Sequence, residues 1–98
     1  MKEYSALEVQ KLLALNSIVL LDVRSSEERG DQHIKGSIHI PVNMLTSKMN
    51  SLQQYREKEI VCYCHSGSRS AVAAMMLMSN GYQAANMKGG IIAWNRLG

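Results

Sequence analysis

The sequence lacks phenylalanine and contains only one tryptophan, one proline and two cysteines. Seven methionines supply apolar volume that aromatic side chains would otherwise fill. Two cysteines are too few for a disulfide scaffold. The longest aliphatic run, IVLL at 18–21, is far shorter than the roughly 18 residues that span a bilayer. We therefore expect a globular domain that depends on neither disulfides nor a membrane.

Concentrated charge is also missing. The 11 basic and eight acidic residues give a net charge of +3, and the basic residues are dispersed singly or alternate with acids, as in REKE at 56–59. A solvated surface of mixed charge explains this pattern better than a nucleic-acid patch. The first ten residues, MKEYSALEVQ, contain no apolar segment of the signal-peptide kind. We expect a cytoplasmic protein that binds neither nucleic acid nor membranes.

The order of the apolar segments predicts a single α/β domain over residues 1–98. Ser5 and Glu8 form a capping-box pattern before the first helix, and Gly30 is expected to end the second helix. The predicted helices cover about 6–15, 27–29, 42–53, 68–79 and 91–97, and the predicted strands cover 18–23, 37–40, 60–64 and 83–87. Strands that alternate with helices form a central parallel sheet flanked by helices. Ligands of such sheets bind beyond the carboxyl ends of the strands.

The segment VCYCHSGSRSA at 61–71 begins as an apolar strand and becomes a loop of compact polar residues. Cys62 and Cys64 lie two positions apart, so they point to the same face of the strand. Cys62 is inside the apolar run, and we expect it to pack in the core as a small hydrophobic residue. Cys64 is predicted to be the last residue of the strand and to open the loop.

The helix predicted over 68–79, SRSAVAAMMLMS, is nearly all apolar. An all-apolar helix is expected to be buried. We therefore place Met75, Met76 and Met78 in the core rather than in a ligand groove.

The loop after Cys64 is predicted to hold an anion. Its backbone amides can point inward because its residues are compact and flexible, namely His65, Ser66, Gly67 and Ser68. Together with the start of the next helix, these amides form a cradle. The cradle stabilises a thiolate, so we expect the pKa of Cys64 to lie below its usual value of about 8.5. Such a thiol is a nucleophile that needs no dedicated general base.

Charged residues lie close to this loop. Arg69 closes the loop and adds positive charge that could pair with an anionic substrate or with Asp22. Asp22 and Arg24 lie at the carboxyl end of the strand at 18–23, the same sheet edge as Cys64. We expect Asp22 to brace the loops through hydrogen bonds rather than to act as an acid or base.

The motif CHSGSRS resembles the active-site loop of the rhodanese family of sulfurtransferases in its small single-domain form. Three further segments resemble motifs of that family in the same order: LLDVR at 20–24, HIKGSIHIP at 33–41 and GYQAANMKGGIIAW at 81–94. The departures are Gln32, Ser37 and His39, where the family usually has glycine, alanine and asparagine. The resemblance implies a three-layer α/β domain with a central parallel sheet.

The resemblance also implies a mechanism. Cys64 would attack the outer sulfur of thiosulfate or a similar donor, and the resulting persulfide would pass its sulfur to cyanide or a thiol. The amides of residues 65–69 would hold the sulfur, and His65 and Arg69 would favour a small anionic donor. A thiol acceptor, such as a thioredoxin-like protein, is a possible partner, and no metal or organic cofactor is required.

Two other functions stay open. Cell-cycle phosphatases and arsenate reductases are related to this family, and their loops are one residue longer than the six residues from Cys64 to Arg69. Loop length favours sulfur transfer over phosphatase activity by that single residue. The third candidate is a noncatalytic interaction module, against which the intact loop argues. A zinc site is disfavoured, because Cys62, Cys64 and His65 do not complete four ligands.

Overall fold

Five parallel strands form one sheet in the order β1-β5-β4-β2-β3 in a computed structural model that describes residues 1–98. The strands are β1 Glu3–Tyr4, β2 Ile18–Asp22, β3 Ile38–His39, β4 Glu59–Tyr63 and β5 Ala84–Met87. The helices are α1 Ala6–Ala14, α2 Ser26–Asp31, α3 Leu45–Lys48, α4 Ser68–Ser79 and α5 Gly90–Asn95. The predicted α/β class with a central parallel sheet is confirmed. None of the helices is both long enough and apolar enough to cross a membrane.

Helices cover both faces of the sheet. Strand β4 shows how, because its alternate residues belong to two different buried clusters: Ile60 and Cys62 face one side, and Val61 and Tyr63 face the other. The first cluster includes residues of α3 and α4, and the second includes residues of α1 and α5. Burial on both faces explains why the central strands are apolar without alternation.

Two predicted helices differ from the structure. Gly30 does not end α2, which continues to Asp31, because Gly30 is exposed in the last turn of a short helix, where glycine costs only about 1 kcal/mol. The helix predicted over 42–53 is a short α3 between two 3-10 helices, Val42–Met44 and Met49–Tyr55. Apolar spacings of three and four residues fit both helix types, so periodicity could not separate them.

Strand β1 was not predicted. It contains two residues, which is too short for any periodicity, and it forms only by pairing with β5 at the edge of the sheet. The register aligns Glu3 with Asn86 and Tyr4 with Met87. The N-terminal segment thereby pairs with the last two residues of β5, at the carboxyl end of that strand.

Helix α4 has the predicted bounds, but the prediction that it is wholly buried is wrong. Ala73, Ala74 and Leu77 are buried against the sheet, and Met76 packs against the same cluster. On the opposite face, Met75 is 58% exposed and Met78 is 46% exposed. A helix on the outside of a three-layer domain has only one covered face, which apolar composition alone cannot reveal.

Candidate active site

The loop that follows β4 is held by the start of α5. The strand ends at Tyr63, so Cys64 is the first loop residue rather than the last strand residue. The amide of Ile91 donates to the Cys64 carbonyl oxygen (2.9 Å), and the amide of Ile92 donates to that of His65 (3.3 Å). A side chain on Gly90 would overlap these loop carbonyl groups. Because the carbonyl oxygens are bound on the α5 side, the loop amides are free to turn towards the sulfur.

Hydrogen bonds converge on the Cys64 sulfur, which is buried with only 1% of the residue exposed. The amide of Gly67 donates to Sγ at 3.1 Å, and the Ser70 hydroxyl lies 3.3 Å from Sγ. Burial alone raises the pKa of Cys64, but the Ser70 hydroxyl and the amides of Ser70, Gly67 and Ser66 outweigh burial and lower it below its usual value. The predicted direction of the pKa shift is confirmed.

Ser70 is itself positioned by Asn86. Its hydroxyl donates to Asn86 Oδ1 at 2.5 Å, while Asn86 Nδ2 donates to the Gly67 carbonyl oxygen (3.3 Å) and to Glu3 Oε2 (3.1 Å). Both Ser70 and Asn86 are buried. A hydroxyl has one proton, so Ser70 can donate either to Asn86 or to Cys64 Sγ at any moment. When Cys64 ionises, we expect that proton to turn towards the thiolate.

Arg69 pairs with Glu28, which is neither of the two partners considered from the sequence. Its Nη1 and Nη2 atoms donate to the two carboxylate oxygens of Glu28 at 2.7 and 2.9 Å. Glu28 also accepts from the Ser25 amide (3.0 Å) as part of the capping box of α2. The Arg69 hydrogen bond is the main reason why the pKa of Glu28 falls to about 2. The ion pair therefore joins α2 to the start of α4.

Asp22 and Arg24 form a buried ion pair beside the loop. Arg24 Nε and Nη2 donate to Asp22 at 3.0 and 2.8 Å, and Nη2 also donates to the Gln32 carbonyl oxygen. Tyr63 and Arg29 donate to the same carboxylate. Burial raises the pKa of Asp22, but the hydrogen bonds from Arg24 outweigh burial and lower it. These contacts link β2, β4 and α2, as expected of a bracing residue.

Comparison with known proteins gives the family. The sequence profile described as "Rhodanese-like domain" matches residues 5–97. The chain belongs to the rhodanese-like domain family. It is 33% identical over 90 residues to a protein of Allochromatium vinosum named "Sulfurtransferase", an alignment that covers 91% of this chain and 82% of that protein.

Solved structures agree with this assignment. A rhodanese-like domain protein from Staphylococcus aureus is 31% identical and superposes with a TM-score of 0.89, over all of this chain and 95% of that one. A rhodanese-related protein from Thermoplasma volcanium is 30% identical with a TM-score of 0.90, over all of this chain and 94% of that one. The fold and the assignment to the rhodanese-like family therefore rest on sequence and structure together.

The loop of this rhodanese-like domain contains the predicted residues, but their contributions differ. The side chains of His65, Ser66 and Ser68 are exposed, and the residues that lower the Cys64 pKa through amides are Ser66, Gly67 and Ser70 rather than the whole 65–69 run. Ser70, one residue past the predicted loop, was missed. Ser70 is the last residue of the motif CHSGSRS, and that position is the sequence signal that could have indicated it.

Two further residues of the rhodanese-like domain were missed. Asn86 is the polar member of the apolar strand β5, and Glu28 lies 41 positions before Arg69. In contrast, the core position of Cys62 is confirmed, since the residue is fully buried and burial raises the pKa of its thiol to about 12.

Proposed function

We propose that this protein is a sulfurtransferase that moves a sulfane sulfur through a persulfide on Cys64. The observation that carries the proposal is the Cys64 sulfur itself, whose pKa is lowered by donors of the loop and of α4 although the residue is buried. Similarity to a protein named as a sulfurtransferase supports the same chemistry. Thiolates, not thiols, attack sulfur electrophiles.

The first half-reaction starts with the Cys64 thiolate. It attacks the outer sulfur of thiosulfate, a new S–S bond forms, and the S–S bond of the donor breaks as sulfite leaves with the electron pair. Cys64 is left as a persulfide anion, so charge is conserved. The amides of Ser66 and Gly67 and the hydroxyl of Ser70 would stabilise the negative sulfur in both states.

The second half-reaction restores the enzyme. Cyanide or an acceptor thiolate attacks the outer sulfur of the persulfide, and Cys64 leaves as a thiolate, which is a good leaving group because its pKa is low. The product is thiocyanate or a persulfide of the acceptor. This two-step covalent scheme predicts ping-pong kinetics.

The sulfur donor, the acceptor and the cellular compartment follow from the same proposed reaction. A small anionic sulfur donor is the proposed substrate of the loop that contains His65 and Arg69, and a thiol or thioredoxin-like protein is the proposed acceptor. The two cysteines are free thiols, which suits the reducing cytoplasm. Because Cys64 is buried, we expect the exposed loop residues to move when a donor approaches the sulfur.

The proposal is tested by intact-protein mass spectrometry after the reduced protein is incubated with thiosulfate. We expect a gain of one sulfur atom, assigned to Cys64 by tandem spectrometry and removed by cyanide. Cys64→Ser should gain none. Absence of sulfur on wild-type Cys64 with any sulfane donor would contradict the proposal. Hydrolysis of an aryl phosphate that is lost in Cys64→Ser would support the phosphatase alternative instead.

A further inference from the structure

The positive charge of Arg69 is already occupied in the structure. Two parallel N–H···O bonds to Glu28 use both of its terminal nitrogen atoms, at 2.7 and 2.9 Å. Arginine and carboxylate match each other in this bidentate geometry. An anionic donor that approached Arg69 would therefore meet a neutralised ion pair rather than a free cation.

Glu28 is fixed in place independently of Arg69. It accepts hydrogen bonds from the Ser25 amide and hydroxyl, at 3.0 and 3.1 Å, and its own amide donates to the Ser25 hydroxyl. This capping box holds the carboxylate at the N-terminus of α2. The low pKa of Glu28, about 2, keeps the carboxylate ionised at neutral pH.

Two other arginines near the loop are also paired with a carboxylate. Arg24 and Arg29 share the single carboxylate of Asp22, at 2.8 and 3.3 Å. The pKa of Arg69 is raised, mainly by its hydrogen bonds to Glu28 and to a smaller extent by the negative charges of Cys64 and Asp22. Each of the three arginines of this region therefore already has a carboxylate partner, Asp22 or Glu28.

We propose that Glu28 is a specificity-determining residue that cancels the charge of Arg69 and so favours sulfur donors with one negative charge over the thiosulfate dianion. The preferred class contains persulfides and thiosulfonates. This inference rests on the proposed function and narrows its donor. The reaction balances for a thiosulfonate as it does for thiosulfate, because the Cys64 thiolate takes the outer sulfur and a sulfinate leaves with the electron pair.

The variant Glu28→Gln removes the charge and retains the cap, because glutamine also serves in a capping box. Glu27→Gln is the matched control, since Glu27 is the exposed neighbour on the same helix and its replacement changes the total charge equally. The measurement is the rate of sulfur loading from thiosulfate divided by the rate from methanethiosulfonate. We expect Glu28→Gln to raise this ratio about fivefold at low salt, with a smaller rise at high salt, and Glu27→Gln to leave it unchanged.

Alkylation of Cys64 separates failure of this inference from failure of the proposed function. The rate with iodoacetate, an anion, divided by the rate with neutral iodoacetamide requires no sulfur transfer and cancels changes in the thiolate fraction. This ratio should also rise in Glu28→Gln and not in Glu27→Gln. If both donors fail to load sulfur while the alkylation ratio rises, the proposed function is wrong and the charge effect of Glu28 stands. The role of Glu28 would be overturned by an alkylation ratio that is unchanged in Glu28→Gln. It would equally be overturned by an alkylation ratio that rises by the same factor in Glu28→Gln and Glu27→Gln.

Discussion

Cys62 and Cys64 lie two positions apart, belong to the same buried cluster and are both almost completely inaccessible to solvent. Their thiols nevertheless shift in opposite directions, since the pKa of Cys62 rises to about 12 whereas that of Cys64 falls. Burial raises the pKa of both thiols, so burial does not distinguish them. The difference comes from hydrogen-bond donors, which only Cys64 has.

The end of strand β4 explains why the Cys64 sulfur accepts hydrogen bonds and the Cys62 sulfur does not. Cys62 lies within the strand, where it is in register with Leu21 of β2 and Asn86 of β5, and backbone amides inside a sheet are used by neighbouring strands. Cys64 lies just past the last paired residue, where the chain turns and its amides can face a side chain. The opposite pKa shifts of the two thiols therefore follow from where strand β4 ends rather than from exposure.

Replacing Cys64 and replacing Cys62 should have the most different effects on sulfur loading. We expect Cys64→Ser to lose all sulfur loading, because a serine hydroxyl does not ionise near neutral pH, and Cys62→Ala to load at close to the wild-type rate. Mass spectrometry after thiosulfate treatment measures both. Sulfur on Cys62 of the wild-type protein, or loss of loading in Cys62→Ala while it remains folded, would contradict the division of roles.

Gly90→Ala should disturb the loop that surrounds the Cys64 sulfur and leave the surroundings of Cys62 in place. The added Cβ would overlap the loop carbonyl groups of Cys64 and His65, and the residue has a φ of +58°. We expect a loss of about 3 kcal/mol in the free energy of unfolding, measured by urea denaturation. Gly30→Ala is the control, because its Cβ would meet nothing within 4 Å in helix α2 and should stabilise by up to about 1 kcal/mol. Equal effects of the two changes would refute the packing argument.

Ser70→Ala should raise the pKa of Cys64 and so reduce the difference in pKa between the two thiols. The Ser70 hydroxyl is the strongest influence that lowers the pKa of Cys64, so its removal should slow alkylation by iodoacetamide roughly tenfold at a pH below that pKa. Ser79→Ala, an exposed change at the other end of α4, should have no effect. The rate is measured across a pH series, and a profile identical to that of the wild type would show that the backbone amides suffice.

The sequence predicted the part of the site that lies along one stretch of chain. The period of two along β4 placed both cysteines on one face, and the compact loop residues indicated the cradle around Cys64. Glu28 and Asn86 were not predictable in this way, because α2 and β5 reach the loop only through the folded topology. The exposed Met75 shows the same limit, since composition does not tell which face of a helix a sheet covers.

The same pKa shifts predict opposite effects of pH on stability. The Cys62 thiol has a pKa of about 12 in the folded protein against 9.0 as its reference value. The unfolded thiol therefore ionises first, and the folded state loses stability as pH rises above about 9, by about 1 kcal/mol at pH 10. Cys64 has the opposite sign, because its lowered pKa adds stability that is complete above the unfolded pKa and is lost as pH falls through the folded pKa.

Urea denaturation of reduced Cys62→Ala and Cys64→Ala at pH 7 and pH 10 measures these contributions. Each variant is compared with the wild type at the same pH, so that the titration of tyrosines and lysines cancels. The loss of unfolding free energy in Cys62→Ala, relative to the wild type, should shrink at pH 10, because the buried Cys62 thiol then destabilises the wild type. The corresponding loss in Cys64→Ala should not shrink. If both deficits moved in the same direction, burial rather than hydrogen bonding would govern the two thiols.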